Sequence, residues 1–173
     1  MSKTLQSYRS IMKNRKTVAV SGGFDPIHVG HVRMILAASR LGDVIVIINS
    51  DEWLSRKKGY VFMPWNERAE IVKSIMGVSK VVHATDDDET VCETLRDLKR
   101  DIDLDIFANG GDRIVTNTPE MNVCEDLEIE MVWNCGGSKI QSSSDLVNKR
   151  VWSQDGLWNK TNKKSKTKTG DIK

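Results

Sequence analysis

From residue 16 to residue 152 the chain alternates short apolar runs with longer stretches whose apolar side chains recur every three or four positions. The short runs are 17-TVAVS-21, 43-DVIVIIN-49, 80-KVVHA-84, 105-DIFAN-109 and 129-IEMVWN-134. Each is apolar or β-branched and bounded by turn formers, and each predicts a strand. Helical spacing appears in 30-GHVRMILAASRLG-42 and 65-WNERAEIVKSIMG-77, both closing on glycine. It recurs in 89-ETVCETLRDLKR-100, which stacks Val91, Leu95 and Leu98 on one face, and in 118-TPEMNVCEDL-127, where a threonine cap precedes proline. Strand and helix alternate, and no internal repeat is apparent.

The run from Val44 to Ile48 is apolar at every position, which implies burial on both faces. A sheet of such strands with helices between them is parallel and covered on both sides. The expected fold is a Rossmann-like three-layer α/β sandwich with a five-stranded parallel sheet. Ligands of such sheets bind beyond the carboxyl ends of the strands, so the residues that follow each strand are the candidates for chemistry.

Composition sets the limits of this picture. A chain of 173 residues, 39% of them hydrophobic, suits one compact domain, read here as residues 17–152 between an N-terminal extension, 1–16, and a tail, 153–173. No apolar run approaches the roughly 18 to 20 residues of a membrane span, and residues 1–16 lack the apolar centre of a signal peptide, so a soluble cytoplasmic protein is expected. Cys92, Cys124 and Cys135 are odd in number and lack C-x-x-C spacing, which favours reduced thiols over a disulfide or structural metal. The net charge of +2 is unevenly spread: 159-NKTNKKSKTKTGDIK-173 carries about +5, which leaves the remainder near -3. The basicity belongs to a tail without a core of its own, expected to be disordered and solvated, and nucleic acid is not the expected partner.

Two of the three histidines sit together in 21-SGGFDPIHVGHVRMI-35, between the first strand and the first helix. Gly22 and Gly23 permit a tight turn and close backbone approach, and the amides of the following helix start suit phosphate. The stretch is neither G-x-G-x-x-G nor a P-loop, since no G-K-[ST] follows the glycines. His28 and His31, three apart around Gly30, project to the same side of a helical turn, where imidazole can donate to phosphate oxygens. A lone histidine at a helix start is ordinarily a cap or a packing group. A pair straddling glycine behind a glycine-rich strand end points instead to chemistry at phosphorus.

At this point F-D-P-I-H-V-G-H resembles the H-x-G-H signature of the cytidylyltransferase-like nucleotidyltransferases, and the resemblance extends over roughly residues 17 to 150. It implies that His28 and His31 act at the α-phosphate, and that Gly22, Gly23, Phe24, Asp25 and Gly30 belong to the nucleotide site. The stretch K-G-x-x-x-M-x-x-x-E-R, residues 58–68, is similar to phosphocholine and phosphoethanolamine cytidylyltransferases, which implies that Lys58 and Arg68 hold phosphate groups. From composition alone Lys57 and Lys58 would be a solvated pair and Arg68 a helix-surface charge. After the fourth strand, 107-FANGGDR-113 is similar to the K-G-G-D of heptose-phosphate adenylyltransferases and the G-D-D of glycerol-phosphate cytidylyltransferases. Gly110 and Gly111 would then read base or ribose, and Asp112 would meet ribose, magnesium or acceptor.

After the fifth strand, 139-KIQSSSDLVNKR-150 resembles the I-S-T-T or I-S-S-S segment that donates to the β- and γ-phosphates, which maps Ser142, Ser143 and Ser144 onto it. Serine at a helix start is otherwise only a cap, worth about 1 kcal/mol. The cytidylyltransferases of phospholipid and teichoic-acid synthesis carry R-T-E-G ahead of these hydroxyls. Here Gly137 stands where that arginine would be, and Lys139 is the candidate replacement charge. The resemblance as a whole implies transfer of CMP or AMP from CTP or ATP, with Mg2+, to a phosphorylated alcohol or sugar, with release of pyrophosphate by a homodimer. Adenylyltransferases acting on heptose 1-phosphate, pantetheine phosphate or nicotinamide mononucleotide share the framework. A nucleotide-binding regulatory module is the alternative without turnover. Trp53, Trp65 and Trp133 are read as packing residues before base-stacking ones.

Overall fold

The computed structural model describes residues 15–111, 113 and 118–147. Five strands, β1 (Thr17–Gly22), β2 (Asp43–Ile48), β3 (Val78–His83), β4 (Ile106–Ala108) and β5 (Glu130–Val132), form one sheet in the order β3-β2-β1-β4-β5. Every neighbouring pair is parallel, and β1 lies on β2 without a slip from Thr17↔Asp43 to Gly22↔Ile48. Parallel pairing requires a crossover after each strand, and the helices supply it. These are α1 (Val29–Ala38), α2 (Asp51–Lys58), α3 (Trp65–Lys73), α4 (Cys92–Ile102) and α5 (Met121–Asp126).

The core is divided by the sheet. Met34, Ile35 and Ala38 of α1 and Val72 of α3 pack with Val18, Val20, Val44, Val46 and Ile48 on one face. Leu95 and Leu98 of α4 and Val123 and Cys124 of α5 pack with Ala19, Ile45, Ile47 and Phe107 on the other. Alternate residues of β1 and β2 thus serve opposite cores, which is why these strands carry no polar position between Val44 and Ile48. The expected Rossmann-like sandwich is the observed one.

Several helices are shorter than their patterns. α1 stops at Ala38 and α3 at Lys73, each capped by a serine, and Gly42 and Gly77 lie in the turns beyond rather than at the helix ends. A Cβ at Gly42 would stand 2.0 Å from the Lys16 carbonyl oxygen, so that glycine serves a close backbone crossing. The N-cap of α5 is Glu120 rather than Thr118, whose carbonyl accepts the Met121 N–H. α2 was absent from the periodicity because only Trp53 and Leu54 are apolar in it. Its ends are nonetheless written in the sequence, with Ser50 as N-cap, Asp51 and Glu52 in the first turn, Arg56, Lys57 and Lys58 in the last, and Gly59 in the left-handed region as a stop.

The chain leaves β1 for β2 and β3 on one side and reaches β4 and β5 on the other. The crevice at the β1/β4 boundary is therefore the topological switch point, where ligands of open α/β sheets bind.

Candidate active site

His28 is the N-cap of α1. Its extended backbone ends the preceding turn, and its Nδ1 accepts the Gly30 N–H at 3.1 Å, while His31 Nδ1 accepts the His28 N–H at 3.2 Å. This is a reciprocal capping box built from two imidazoles in place of the usual hydroxyl and carboxylate. The rings stack with centroids 3.7 Å apart and planes at 18°. With Nδ1 of each ring accepting, the proton of the neutral ring resides on Nε2, so each ring offers an N–H donor at the edge away from the helix. Burial, then the charges of Lys139 and Lys58, holds His28 below the ordinary histidine value. The site thus keeps His28 as a neutral donor. Glycine at position 30 leaves the His28 ring its place, because a Cβ there would lie 3.0 Å from the ring and press it aside.

Behind the histidines stands a buried support. Phe24, with φ of 52° and almost no exposure, places its ring 4.8 Å from that of His31. Asp25 is wholly buried, and its two carboxylate oxygens accept the N–H groups of Phe62 and Met63 at 2.9 and 2.7 Å. Its carbonyl accepts Lys58 Nζ at 2.7 Å, which brings the end of α2 against the turn that carries the histidines. Burial pulls Lys58 below the usual lysine range, with Arg68 and Lys57 acting in the same direction and Asp25 opposing.

The phosphate contact that resemblance implied for Arg68 does not fit its surroundings. The guanidinium is 0% exposed and donates to the carbonyls of Met63, Gly23 and Asn49 at 2.9, 2.6 and 2.9 Å, and to the Asp51 carboxylate. Arg68 ties the carboxyl ends of β1 and β2 to the start of α2, and its donors are turned inward. Phe24 and Asp25 are likewise supports rather than lining residues. Gly22 and Gly23 also stay out of the cavity wall, and at Gly23 a Cβ would meet the Leu54 side chain at 2.9 Å, so its small size admits α2.

The cavity itself, about 260 Å³, opens over the switch point. One wall is His28, Gly30, His31 and Lys58; facing it are Gly110 and Gly111 after β4 and the segment from Cys135 to Ser144 after β5. Of the residues picked out in the sequence, His28, Gly30, His31, Lys58, Gly110, Gly111, Lys139, Ser142, Ser143 and Ser144 therefore meet around one space. Asp112 lies outside the described residues. Ser142 Oγ accepts the Asp145 N–H at 3.4 Å as the cap of the helical residues 143–147, and Ser143 Oγ donates to the Pro26 carbonyl at 2.9 Å, joining this segment to the histidine turn. Gly137, at the position of the absent arginine, has φ of 83°. The Gly111 backbone runs so close that a Cβ would be 2.2 Å from the Gly137 carbonyl oxygen.

Met34, Cys135, Gly136, Ser138, Ile140 and Gln141 also line the cavity and were not picked out in the sequence. Gly136 was readable in principle as half of a glycine pair behind a predicted strand. Met34 and Cys135 carried no such mark, since both look like core residues. The three cysteines are free thiols, and burial raises the pKa of Cys135. Trp53, Trp65 and Trp133 are not lining residues, and Trp65 Nε1 donates to the Ile48 carbonyl at 3.2 Å. No carboxylate lines the cavity among the described residues, whereas two lysines and two N–H-donating imidazoles do.

Fold and site together define a class: an α/β protein with a cavity over the carboxyl ends of a parallel sheet, lined by a paired-histidine helix start and two lysines. The chain belongs to the cytidylyltransferase-like family, whose model matches residues 19–147. It is 36% identical over 118 residues to the bifunctional protein HldE of Syntrophotalea carbinolica, a match covering 66% of this chain and 22% of that protein. It is 38% identical over 90 residues to the FAD synthase of Pyrococcus abyssi, covering 51% and 60% respectively. The chain therefore spans about a fifth of the first relative and under two thirds of the second. The crystal structure of the lipopolysaccharide core biosynthesis protein from Thermoplasma volcanium GSS1 shares the fold, with a TM-score of 0.56 at 20% identity over 69% of this chain and 96% of that one. No described helix is long and apolar enough to cross a membrane.

Proposed function

We propose that the chain is a nucleotidyltransferase that transfers a nucleoside monophosphate from ATP or CTP to a phosphorylated small molecule and releases pyrophosphate. The observation that carries this reading is the composition of the cavity wall: His28, His31, Lys58 and Lys139 with the serine segment, and no lining carboxylate among the described residues. Such a wall suits a polyphosphate.

In this reading a phosphate oxygen of the acceptor attacks the α-phosphorus in line; the new P–O bond forms as the bond from the α-phosphorus to the bridging oxygen breaks, and pyrophosphate leaves with that oxygen. Phosphate is already a competent nucleophile, so positioning and charge stabilisation carry the step. His28 and His31 donate their Nε2–H groups to the oxygens that gain charge, and Lys58 and Lys139 supply the positive charge that a neutral His28 lacks. The start of the last helix, at Ser142, Ser143 and Ser144, offers amide donors to the departing phosphates, with the hydroxyls of Ser142 and Ser144 beside them, while the Ser143 hydroxyl holds the segment to Pro26.

Mg2+ enters this reading with the triphosphate. Among the described residues no group of three or more histidine, cysteine, aspartate or glutamate side chains forms a metal site. Magnesium suits such a wall when its ligands are mostly phosphate and water oxygens, where its charge offsets that of the triphosphate.

Two features favour ATP over CTP: the glycine at position 137 in place of the arginine found in the lipid and teichoic-acid cytidylyltransferases, and the similarity to an FAD synthase, whose product contains an adenine nucleotide. The testing experiment crosses ATP and CTP with glycerol phosphate, choline phosphate, heptose 1-phosphate and FMN, and reads pyrophosphate release. Release with one acceptor class supports the proposal. Nucleotide binding without release under every pairing would replace it with a regulatory binding module.

A further inference from the structure

Glu120 is a buried carboxylate that neither the proposed chemistry nor the support behind the histidines uses. It is 2% exposed, at the start of α5. Its Oε1 accepts the Val91 N–H at 3.2 Å, the amide that precedes α4. Its Oε2 has no hydrogen-bond partner among the described residues and faces Arg113 Nη1 at 3.8 Å. Cys92 and Cys124 are close enough to sense its charge, but both thiols are held neutral, burial and Glu120 pushing Cys124 up to about 12. A neutral glutamine would accept the Val91 N–H as well. What a charge adds at this buried position is attraction to Arg113, since a buried carboxylate is costly unless it is answered by a cation.

Arg113 is bonded to the glycines that form one rim of the cavity. Its N–H donates to the Gly110 carbonyl at 3.1 Å, and between these residues Gly111 lies against Gly137. The root of the turn is fixed separately, by Asn109 N–H to the Val132 carbonyl at 2.7 Å and Cys135 N–H to the Asn109 carbonyl at 2.8 Å. The Arg113 guanidinium reaches back to Glu120.

We infer that the Glu120–Arg113 pair is a positioning device for the nucleotide: it ties Arg113, and through the Arg113 N–H the Gly110 carbonyl, to the starts of α4 and α5, so that the backbone of Gly110 and Gly111 meets the ligand in a fixed place. The inference rests on the proposed nucleotide site. Neither residue is a lining residue, and each acts through the turn.

The test uses the full chain and binding of ATP and CTP, each with Mg2+, measured by calorimetry, beside steady-state kinetics. Glu120→Gln preserves shape and the Val91 contact while removing the charge; Arg113→Met removes the partner from a half-exposed position where folding is not at stake. Each single variant is expected to weaken nucleotide binding about tenfold and to raise KM with little change in kcat, and the double variant is expected to be no worse than either single. Arg113→Lys is expected to recover most of the loss. Singles that bind as the wild type does, or losses that multiply in the double variant, would overturn the inference. A wild-type chain that binds neither nucleotide would overturn the proposed function, and this inference with it.

Discussion

His28 and His31 lie ring on ring, 3.7 Å between centroids, and each accepts a backbone N–H of the helix start they share. One interaction set therefore caps α1 and fixes the tautomer of both rings. Structure and chemistry can be separated at His28. His28→Ala is expected to lower kcat by about 10² to 10³, the range for losing one transition-state donor, and to cost about 1 kcal/mol of stability as a lost cap. His28→Asn restores a good cap without the distant donor, so denaturation should return to wild type while turnover stays low. Turnover restored by asparagine would show His28 to be a cap alone.

The electrostatics of the same ring give a titration. Its folded pKa lies below the ordinary 6.5, through burial first and Lys139 and Lys58 next. An unfolded chain therefore takes up this proton before the folded one does, and the stability present above pH 6.5 declines as pH falls through the folded value. Lys139→Met removes one of the charges that depress it. The NMR midpoint of His28 should lie below 6.5 in the wild type and move upward in this variant; a midpoint that does not respond would separate Lys139 from the site.

Gly30→Ala tests the space between the rings. Alanine favours a helix over glycine by about 1 kcal/mol, yet its Cβ would stand 3.0 Å from the His28 ring. The expected variant is as stable as the wild type and has lost most of its turnover. Full activity would mean that the ring position is not critical.

Asp25 and Arg68 are predicted to act on the fold before the ligand. Asp25→Ala strands the N–H groups of Phe62 and Met63, at about 1–3 kcal/mol for each buried donor left unpaired, and loosens the segment next to Lys58. Asp25→Asn retains one acceptor and should lose roughly half as much in urea denaturation. Arg68→Met removes the partner of the half-exposed Asp51 and leaves three carbonyls without their donor, at about 1–3 kcal/mol for each buried group left unpaired. A direct phosphate ligand would behave differently, with stability kept and KM raised.

Legibility in the sequence followed the kind of physics involved. Strand positions, the parallel sheet and the cavity-lining stretches behind strands β1, β4 and β5 are readable, because burial on two faces and glycine at strand ends leave local marks. The His28–Gly30–His31 triplet was readable for the same reason. α2 escaped hydrophobic periodicity, since two apolar residues in eight set no period, although its caps were in plain view.

The alternation that makes the sheet, and the placement of histidines, lysines, glycines and serines after particular strands, are properties of the local sequence. Which of these groups line the cavity is set by the tertiary structure. Arg68 and Asp25 have the charges of binding residues, but both are spent on backbone groups from other parts of the chain, whereas Met34 and Cys135 look like core and reach the cavity. A side chain's charge is a local property. Its direction and its partners depend on which distant carbonyls and amides the fold leaves unpaired, and that is settled only when the strands are side by side.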